Sequence, residues 1–331
     1  MSLPRLDLFD FAPPEKHLLA DQSHSIVERG FLQDVWGRLK SNRAALVSLI
    51  VILIILALSV IVPLISTHRY DRGIIQHQSL PPRWPLIEKT GLLDGNGEYQ
   101  EKGLEDTYYL FGTDTLGRDI WVRTWKGTQV SLYMAFLAVV VDMILGMSFG
   151  LISGYYGGYI DLFLQRVIEI LNSIPTIVIV TLLVFVLRPG ILSITLAIII
   201  KGWIGMSKIA RAQVLKLKEQ EFILASRTLG SSDLKIIMHQ LLPNIFGQVI
   251  IMSMFSIPNA IFTESFLAFI GLGLQPPLAS LGVLISEGFK SFLVSRYMVV
   301  IPTAVLAVLM FSFTVLADGL RDAFDPKMKE M

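Results

Sequence analysis

The residues of this chain whose types could do chemistry do not assemble into a known catalytic pattern. The phosphate-loop pattern G-x-x-x-x-G-K-[ST] and the zinc pattern H-E-x-x-H do not occur in the 331 residues. Cysteine is also absent, which excludes disulfides and thiolate chemistry. His68 and His77 are interpreted as solvated loop residues rather than metal ligands. We therefore expect a non-catalytic chain without a bound cofactor or metal. If ATP drives its function, another subunit must hydrolyse the ATP.

One short stretch shows the alternating oxygen ligands of a calcium loop. Asp94, Asn96 and Glu98 alternate, and Glu105 is twelfth in line. Tyr99, however, occupies the position at which such loops need glycine. We do not expect metal binding there.

A single ionisable side chain, Asp142, lies near the centre of a predicted membrane span. A lone charge there costs about 2.5–3.5 kcal/mol on insertion scales, so the side chain should face other helices or a wet path. Two interpretations stay open: a side chain that is neutral or hydrogen-bonded to a neighbouring span, which we favour, or a place on the wall of a solute pathway. Glu264 and Asp318 are interpreted as carboxylates that anchor loops or interfaces, because a proton-driven carrier needs several coupled acids and bases.

The composition indicates an integral membrane protein. Hydrophobic residues make up 53% of the chain and charged residues only 17%, and the mean hydropathy is +0.61. The net charge of +1 argues against nucleic acid as a partner, because phosphate binding needs a concentrated basic face. The polar, proline-containing N-terminus lacks the apolar core of a cleavable signal peptide.

Apolar runs predict an all-α polytopic membrane protein with six transmembrane helices. Basic residues before the first run and in the longest loop place both termini and that loop in the cytoplasm. The predicted spans are 44–67, 131–153, 162–187, 191–206, 245–272 and 297–320.

The spans divide the chain into five segments. They are a cytoplasmic N-terminal segment with an interfacial helix at 1–43, the first transmembrane helix at 44–67, an extracytoplasmic loop at 68–126, a five-helix core at 127–321 with a cytoplasmic loop over about 208–243, and a cytoplasmic tail at 322–331.

The stretch from Glu221 to Pro243 is polar and lightly basic between strongly apolar runs. Residues 222–229 predict a short helix, and Gly230 can take the left-handed conformation that ends it. Ser231 is expected to cap a second helix that runs to about Leu242, where Pro243 stops it or sets its exit angle. A helix, a glycine corner and a helix would form a rigid knob at the membrane surface.

Several sequence blocks resemble one transporter family. The segment ASRTLG at 225–230, followed by Leu242, Pro243 and Asn244, resembles the cytoplasmic coupling motif of ABC-importer permeases. The motif's glutamate falls on Leu224, its second alanine on Ser226 and its late isoleucine on Gln240. Four further blocks are similar to the second permease of oligopeptide/dipeptide importers, the OppC/DppC type: GTDTLGRDIWVRTWKGTQVSL at 112–132, GYYGGYIDLFLQRVIEILNSIP at 154–175, FTESFLAFIGLGLQPPLASLG at 262–282 and ADGLRDAFDPK at 317–327.

The resemblance implies a permease in a bacterial plasma membrane that imports oligopeptides. Its implied partners are a homologous second permease, two ATPase subunits that bind ATP and Mg²⁺, and an extracellular solute-binding protein. Import of dipeptides, nickel or another small solute is the alternative, and a secondary carrier is a more distant one. The implied ATPase-coupling residues are Glu221, Ala225, Ser226, Arg227, Gly230, Ser231, Asp233 and Pro243.

The other blocks are given structural interpretations. GTDTLGRD at 112–119 is expected to be a packed re-entry into the second span, with Arg118 paired to Asp119. GYYGGY at 154–159 is expected to be a tight inner turn, and GLGLQPP at 271–277 an outer hairpin.

Overall fold

The computed structural model describes residues 31–84, 96–104 and 106–324. Within these ranges the protein is helical and contains no named strand; Thr113 and Asp119 form an isolated bridge. The helices are α1 (Phe31–Ser41), α2 (Arg43–Ile65), α3 (Asn96–Glu101), α4 (Ile120–Val141), α5 (Met147–Tyr156), α6 (Gly158–Ser173), α7 (Thr176–Leu187), α8 (Ile191–Leu217), α9 (Glu221–Thr228), α10 (Asp233–Ile236), α11 (Leu242–Leu267), α12 (Leu281–Lys290) and α13 (Tyr297–Phe324).

Wider π-helical turns join several of these helices into longer rods. One at Asp142–Gly146 connects α4 to α5, one at Ile237–Leu241 connects α10 to α11, and one at Ala268–Leu272 follows α11. The resulting rods run over Ile120–Tyr156 and Asp233–Leu272.

Five helices in the described part of the chain are long and apolar enough to cross a membrane. The predicted span 162–187 instead corresponds to α6 and α7, which meet at an angle of 78°. Ile174 precedes Pro175 and has extended backbone angles, because the proline ring disfavours a helical residue before it. Counting the bent pair as one span gives the predicted six.

The second predicted span begins later than the helix that contains it. The span was placed from residue 131, whereas α4 starts at Ile120. Asp119 sets this start, because its Oδ1 accepts a hydrogen bond of 2.8 Å from the Trp121 backbone N–H and caps the helix. The fourth span is likewise longer than expected, since α8 extends to Leu217.

A stripe of glycines allows α4 and α5 to lie directly on α8. A Cβ added to Gly150 would be 2.5 Å from the Cβ of Ala210, so only glycine permits this approach. Small residues at intervals of four are the usual means by which membrane helices pack closely. The facing residues are Gly146, Gly150 and Gly154 on one side and Met206, Ala210 and Val214 on the other.

The loop between α2 and α4 is held together by stacked polar and aromatic groups. The Arg83 guanidinium lies 4.9 Å from the Tyr99 ring centroid and 4.8 Å from that of Tyr108. The Tyr99 hydroxyl donates a hydrogen bond of 2.9 Å to the carbonyl oxygen of Pro81. The described part of this loop is therefore folded, and Tyr99 belongs to its core with Leu80 and Tyr109.

Two histidines of this loop differ from the prediction. His68 Nδ1 lies 2.9 Å from Asp119 Oδ2, and His77 Nδ1 is hydrogen-bonded to the Tyr109 hydroxyl. His68 ties the loop to the start of α4, because Asp119 caps the helix with one oxygen and keeps the other free for the imidazole. His77 ties the loop to its own aromatic core.

The calcium-loop pattern is only partly within the described residues. Asp94 and Glu105 lie outside the described residues, and Glu98 is in the first turn of α3. Among the residues that the structure describes, no group of three or more His, Cys, Asp or Glu side chains could hold a metal ion.

Candidate coupling site

A tight glycine corner ends α9. Gly230 has φ +78°, as predicted. Its N–H donates to the carbonyl oxygen of Arg227 at 2.9 Å, and the N–H of Ser231 donates to that of Ser226 at 3.0 Å. This pair of bonds is a Schellman motif, which satisfies the last carbonyls of a helix and fixes its exit direction.

After the corner, the predicted cap is wrong, and so is the first of the two interpretations of Pro243, the helix stop. Ser231 does not cap the second helix: Ser232 occupies the N-cap position, without a side-chain capping bond. Pro243 does not stop that helix, since α10 continues through the π-helical turn into α11. The wider turn lies immediately before Pro243, so the regular hydrogen-bond pattern is already interrupted where the proline N–H is missing.

A tyrosine connects the corner to the end of α5. The Tyr155 hydroxyl donates a hydrogen bond of 2.7 Å to Asp233 Oδ1. The Arg227 guanidinium lies 4.8 Å from the centroid of the same ring. One side chain therefore contacts both α9 and α10, which keeps the two helices in a fixed relation to the membrane-spanning rod.

Two residues that depart from the general coupling motif contact each other. Gln240 Nε2 donates a hydrogen bond of 2.5 Å to Ser226 Oγ. Ser226 stands where the motif has alanine and Gln240 where it has isoleucine, so a polar pair occupies the place of an apolar one. Fourteen positions separate the two residues, and the sequence offers no local signal that joins them.

One face of α9 is buried and the other is exposed. Ile223 is fully buried in a cluster with Ile236, Leu241 and Val214. The opposite face and the corner expose large apolar side chains: Phe222, Leu224, Leu229 and Leu234. Leu229 is 85% exposed, so a partner can reach this apolar side chain directly.

The GYYGGY turn is confirmed as tight and is braced by charge. Gly157 and Gly158 have φ +65° and +52°. Two hydrogen bonds connect Asp161 to the guanidinium of Arg211, from Nε to Oδ1 at 2.7 Å and from Nη2 to Oδ2 at 2.5 Å. Lys218 Nζ donates to the carbonyl oxygen of Gly154 at 3.0 Å. The start of α6 and the ends of α5 and α8 therefore form one unit beside the corner.

A short serine motif in the same rod has no catalytic setting. Residues 146–150 read GMSFG, which matches the nucleophile pattern G-x-S-x-G. That motif requires a strand-to-helix turn, whereas Ser148 lies within α5 and its Oγ donates to the carbonyl oxygen of Ile144 at 2.6 Å. Close packing against α8 explains the two glycines.

At the other end of α4, Arg118 does not pair with Asp119. Arg118 Nε donates to Asp114 Oδ2 at 2.7 Å, and its Nη2 lies 3.2 Å from Glu287 Oε2. Arg123, which is fully buried, donates to the same two carboxylates. Asp119 already caps α4 and contacts His68. Arg118 therefore binds Asp114 instead, and its contact with Glu287 joins the start of α4 to α12.

Two other predicted acids lie in different settings. Glu264 is buried, and its Oε2 accepts a hydrogen bond of 2.9 Å from Ser131 Oγ, so it joins α11 to α4 within the bundle. Asp142 lies on the wall of a cavity of about 280 Å³, away from the coupling corner.

The family models match most of the chain. The model described as "binding-protein-dependent transport system inner membrane component" matches residues 146–330, and "N-terminal TM domain of oligopeptide transport permease C" matches residues 30–82. The chain belongs to this family of inner-membrane permeases.

Relatives with curated descriptions cover nearly the full length of this permease. It is 38% identical over 300 residues to the dipeptide transport system permease protein DppC of Bacillus subtilis, covering 90% of this chain and 87% of the relative. It is 41% identical over 314 residues to DppC of Lactococcus lactis subsp. cremoris, covering 91% and 92%. It is 36% identical over 298 residues to the oligopeptide transport system permease protein OppC of Bacillus subtilis, covering 90% of each.

The fold is also that of a solved importer. The inward-facing MetNI methionine ABC transporter matches with a TM-score of 0.51 at 16% identity, covering 61% of this chain and 97% of that one. This permease is thus a non-catalytic, multi-pass inner-membrane subunit of the peptide branch of ABC importers. As its family description states, transport by such systems depends on a binding protein.

Proposed function

We propose that this permease is one of the two transmembrane subunits of an ATP-driven oligopeptide importer, with both termini in the cytoplasm. It forms the pathway with a homologous permease and receives peptide from an extracellular solute-binding protein. Two ATPase subunits, which bind ATP and Mg²⁺, drive it through residues 221–243. The coupling residues are Glu221, Ala225, Ser226, Arg227, Gly230, Ser231, Asp233 and Pro243.

The observation that carries this proposal is a rigid corner with an apolar face. Tyr155 contacts Asp233 at 2.7 Å and Arg227 at 4.8 Å, while Phe222 and Leu229 remain exposed on the outside of the same unit. A partner that binds these apolar side chains can move the corner, and the bonds behind it transmit the movement to α5 and α11. A flexible linker would absorb the same displacement.

Individual residues have distinct parts in this scheme. Glu221 places a negative charge in the first turn of α9, where the helix dipole favours it. Ala225 is small and exposed, so a partner surface can approach the helix closely. Ser231 closes the corner with its N–H, and Pro243 is the second residue of α11.

The test replaces Leu229 with aspartate in the complete transporter. We expect Leu229→Asp to reduce both co-purification of the ATPase subunits and uptake of a labelled pentapeptide, by about tenfold or more, because an interfacial leucine is replaced by a charge. Leu293→Asp is the matched control, since Leu293 is equally exposed in the segment between α12 and α13. Unchanged co-purification and uptake for Leu229→Asp would contradict the assignment.

Import of dipeptides, nickel or another small solute is the second candidate. The relatives named for dipeptide and for oligopeptide transport are similarly close, at 38% and 36% identity. Competition of a labelled pentapeptide by unlabelled dipeptide, pentapeptide and a nickel chelate separates these substrates. A self-sufficient secondary carrier would instead retain uptake in cells that lack the ATPase subunits.

A further inference from the structure

A partly open cavity with several polar side chains lies between the helices of the bundle, apart from the coupling corner. It has a volume of about 280 Å³ and lies between the α4–α5 rod, α7, α8 and α11. Two glycines of α8, Gly202 and Gly205, form part of its wall without side chains. Its polar lining consists of Asp142, Thr176, Lys201, Ser256, Asn259 and Thr263.

Asp142 is the acidic group of this lining, and its carboxyl is not satisfied by the protein. The residue is 5% exposed, and its Oδ1 has no hydrogen-bond partner among the described residues. A Cβ added to Gly202 would lie 2.5 Å from the same oxygen, so the carboxyl contacts bare backbone of α8. The hydrogen bond to a neighbouring span that we favoured from the sequence is therefore not made by this oxygen.

The backbone presents Asp142 in an unusual way. It begins the π-helical turn at Asp142–Gly146, where the regular hydrogen-bond pattern of the rod is interrupted. Such turns inside α-helices occur frequently at functional sites. If Asp142 had only a packing role, a regular α-helix would hold its side chain equally well.

The nearby ammonium group does not compensate for this carboxyl. Lys201 also lines the cavity, but its Nζ donates to the carbonyl oxygens of Ile174 at 2.7 Å and Asn172 at 3.3 Å. It is thus engaged by the bend between α6 and α7. A buried carboxylate without a cationic partner is costly, and either a proton or a cation from outside the chain would relieve that cost.

We infer that Asp142 binds a protonated amine of the transported solute inside this cavity. Given the proposed function, on which this inference rests, that amine is the amino terminus of a peptide. Ser256, Asn259 and Thr263 lie on one face of α11 and offer hydroxyl and amide groups to the peptide main chain. Because every unblocked peptide carries this group, a single carboxylate can serve substrates with different side chains.

The first test measures charge selectivity and needs no knowledge of the substrate. Because the chain has no cysteine, Ser256→Cys introduces a single thiol into the cavity. In the purified complex we expect a cationic methanethiosulfonate reagent to label it at least about fivefold faster than an anionic one of similar size. Asp142→Asn should bring that ratio towards one, whereas Asp318→Asn, which removes an exposed acid of α13, should leave it unchanged.

The second test uses defined peptides. Trialanine should protect the Ser256→Cys thiol from labelling, and Asp142→Asn should raise the half-protecting concentration about tenfold. N-acetyl-trialanine should protect weakly in both backgrounds. Three results would each overturn the inference. The first is equal labelling of Ser256→Cys by the two reagents, and the second is a labelling ratio that Asp142→Asn does not change. The third is no labelling of Ser256→Cys or of a second cavity thiol, Asn259→Cys. Failure of the parent to take up peptides, with the charge ratio intact, would contradict only the proposed function and leave a site for another amine.

Discussion

The Tyr155 hydroxyl donates a hydrogen bond of 2.7 Å to Asp233 Oδ1, so the end of α5 is joined to a residue 78 positions later in the chain. The glycine corner between α9 and α10 is therefore connected to the bundle by a side chain as well as by its own backbone. Tyr155 follows the close-packed glycine stripe of α5, which brings its ring to the corner.

We expect Tyr155→Phe to reduce peptide uptake several-fold while the complex still assembles. The substitution removes the bond to Asp233 but keeps the ring that the Arg227 guanidinium contacts, and a single hydrogen bond contributes about 0.5–1.5 kcal/mol. Uptake and ATPase co-purification measured on the same preparations check this. Tyr156→Phe, which removes a hydroxyl from the neighbouring side chain, is the control; equal loss of uptake in both variants would rule out a specific role for the bond.

The Ser226–Gln240 pair predicts a compensating double substitution. Ser226→Ala alone leaves the Gln240 amide without its acceptor, and Gln240→Ile alone leaves the hydroxyl without its donor. Each should lower the free energy of unfolding by about 1 kcal/mol, and the double variant, which restores the residues of the general motif, should recover most of the loss. Thermal unfolding of the four proteins measures the coupling. Additive losses would mean that the two side chains are energetically independent.

The ion-pair network at the start of α4 predicts that loss of the Asp114 charge destabilises the protein far more than loss of the Asp71 charge. Asp114 binds both Arg118 and Arg123, and their side chains are almost fully buried. Asp114→Asn should therefore destabilise the protein by about 3 kcal/mol, because it leaves two buried cations with Glu287 as their one remaining shared carboxylate. Asp71→Asn, which breaks a surface pair with Arg69, should have no measurable effect. Similar melting temperatures for the two variants would contradict the role of the network.

The His68–Asp119 contact predicts a loss of stability as pH rises. The hydrogen bond to the Asp119 carboxylate raises the pKa of His68 above its usual 6.5, against an opposing effect of burial. The contribution of this contact to the free energy of unfolding is complete below pH 6.5 and disappears as pH rises through the pKa of His68 in the folded protein. The Tyr109 ring stacks on His68 at 5.0 Å, and its own pKa is raised to about 12 by burial, so it stays neutral throughout.

Melting temperatures measured between pH 6 and 9 test this contact. Relative to His68→Gln, the parent should lose roughly 1–3 °C across that interval. Burial lowers the pKa of His77, and the charge of His68 lowers it further, so His77 changes stability in the opposite sense at acid pH. A parent and variant with parallel profiles would show that the pair contributes nothing to stability.

The sequence predicts the helices of this permease better than the contacts that hold them. Apolar runs and charge placement locate the spans, and the glycine at 230 predicts the corner, because these depend on local chemistry. Arg118 could have paired with either neighbouring aspartate, and the choice depends on His68, fifty-one positions from Asp119. Pro243 appeared to end a helix because the π-helical turn before it has no recognisable sequence signal.

The central claim is that the corner at Gly230 transmits force as a rigid joint, and simultaneous measurement of ATP hydrolysis and peptide uptake in proteoliposomes tests it most directly. An added Cβ at Gly230 meets no atom within 4 Å, and the positive φ strains a β-branched residue by about 1–3 kcal/mol in Gly230→Val. We predict that Gly230→Val lowers uptake per ATP hydrolysed about tenfold, whereas Gly230→Asn, which tolerates this conformation, retains it. Unchanged uptake and unchanged hydrolysis in Gly230→Val would contradict the claim.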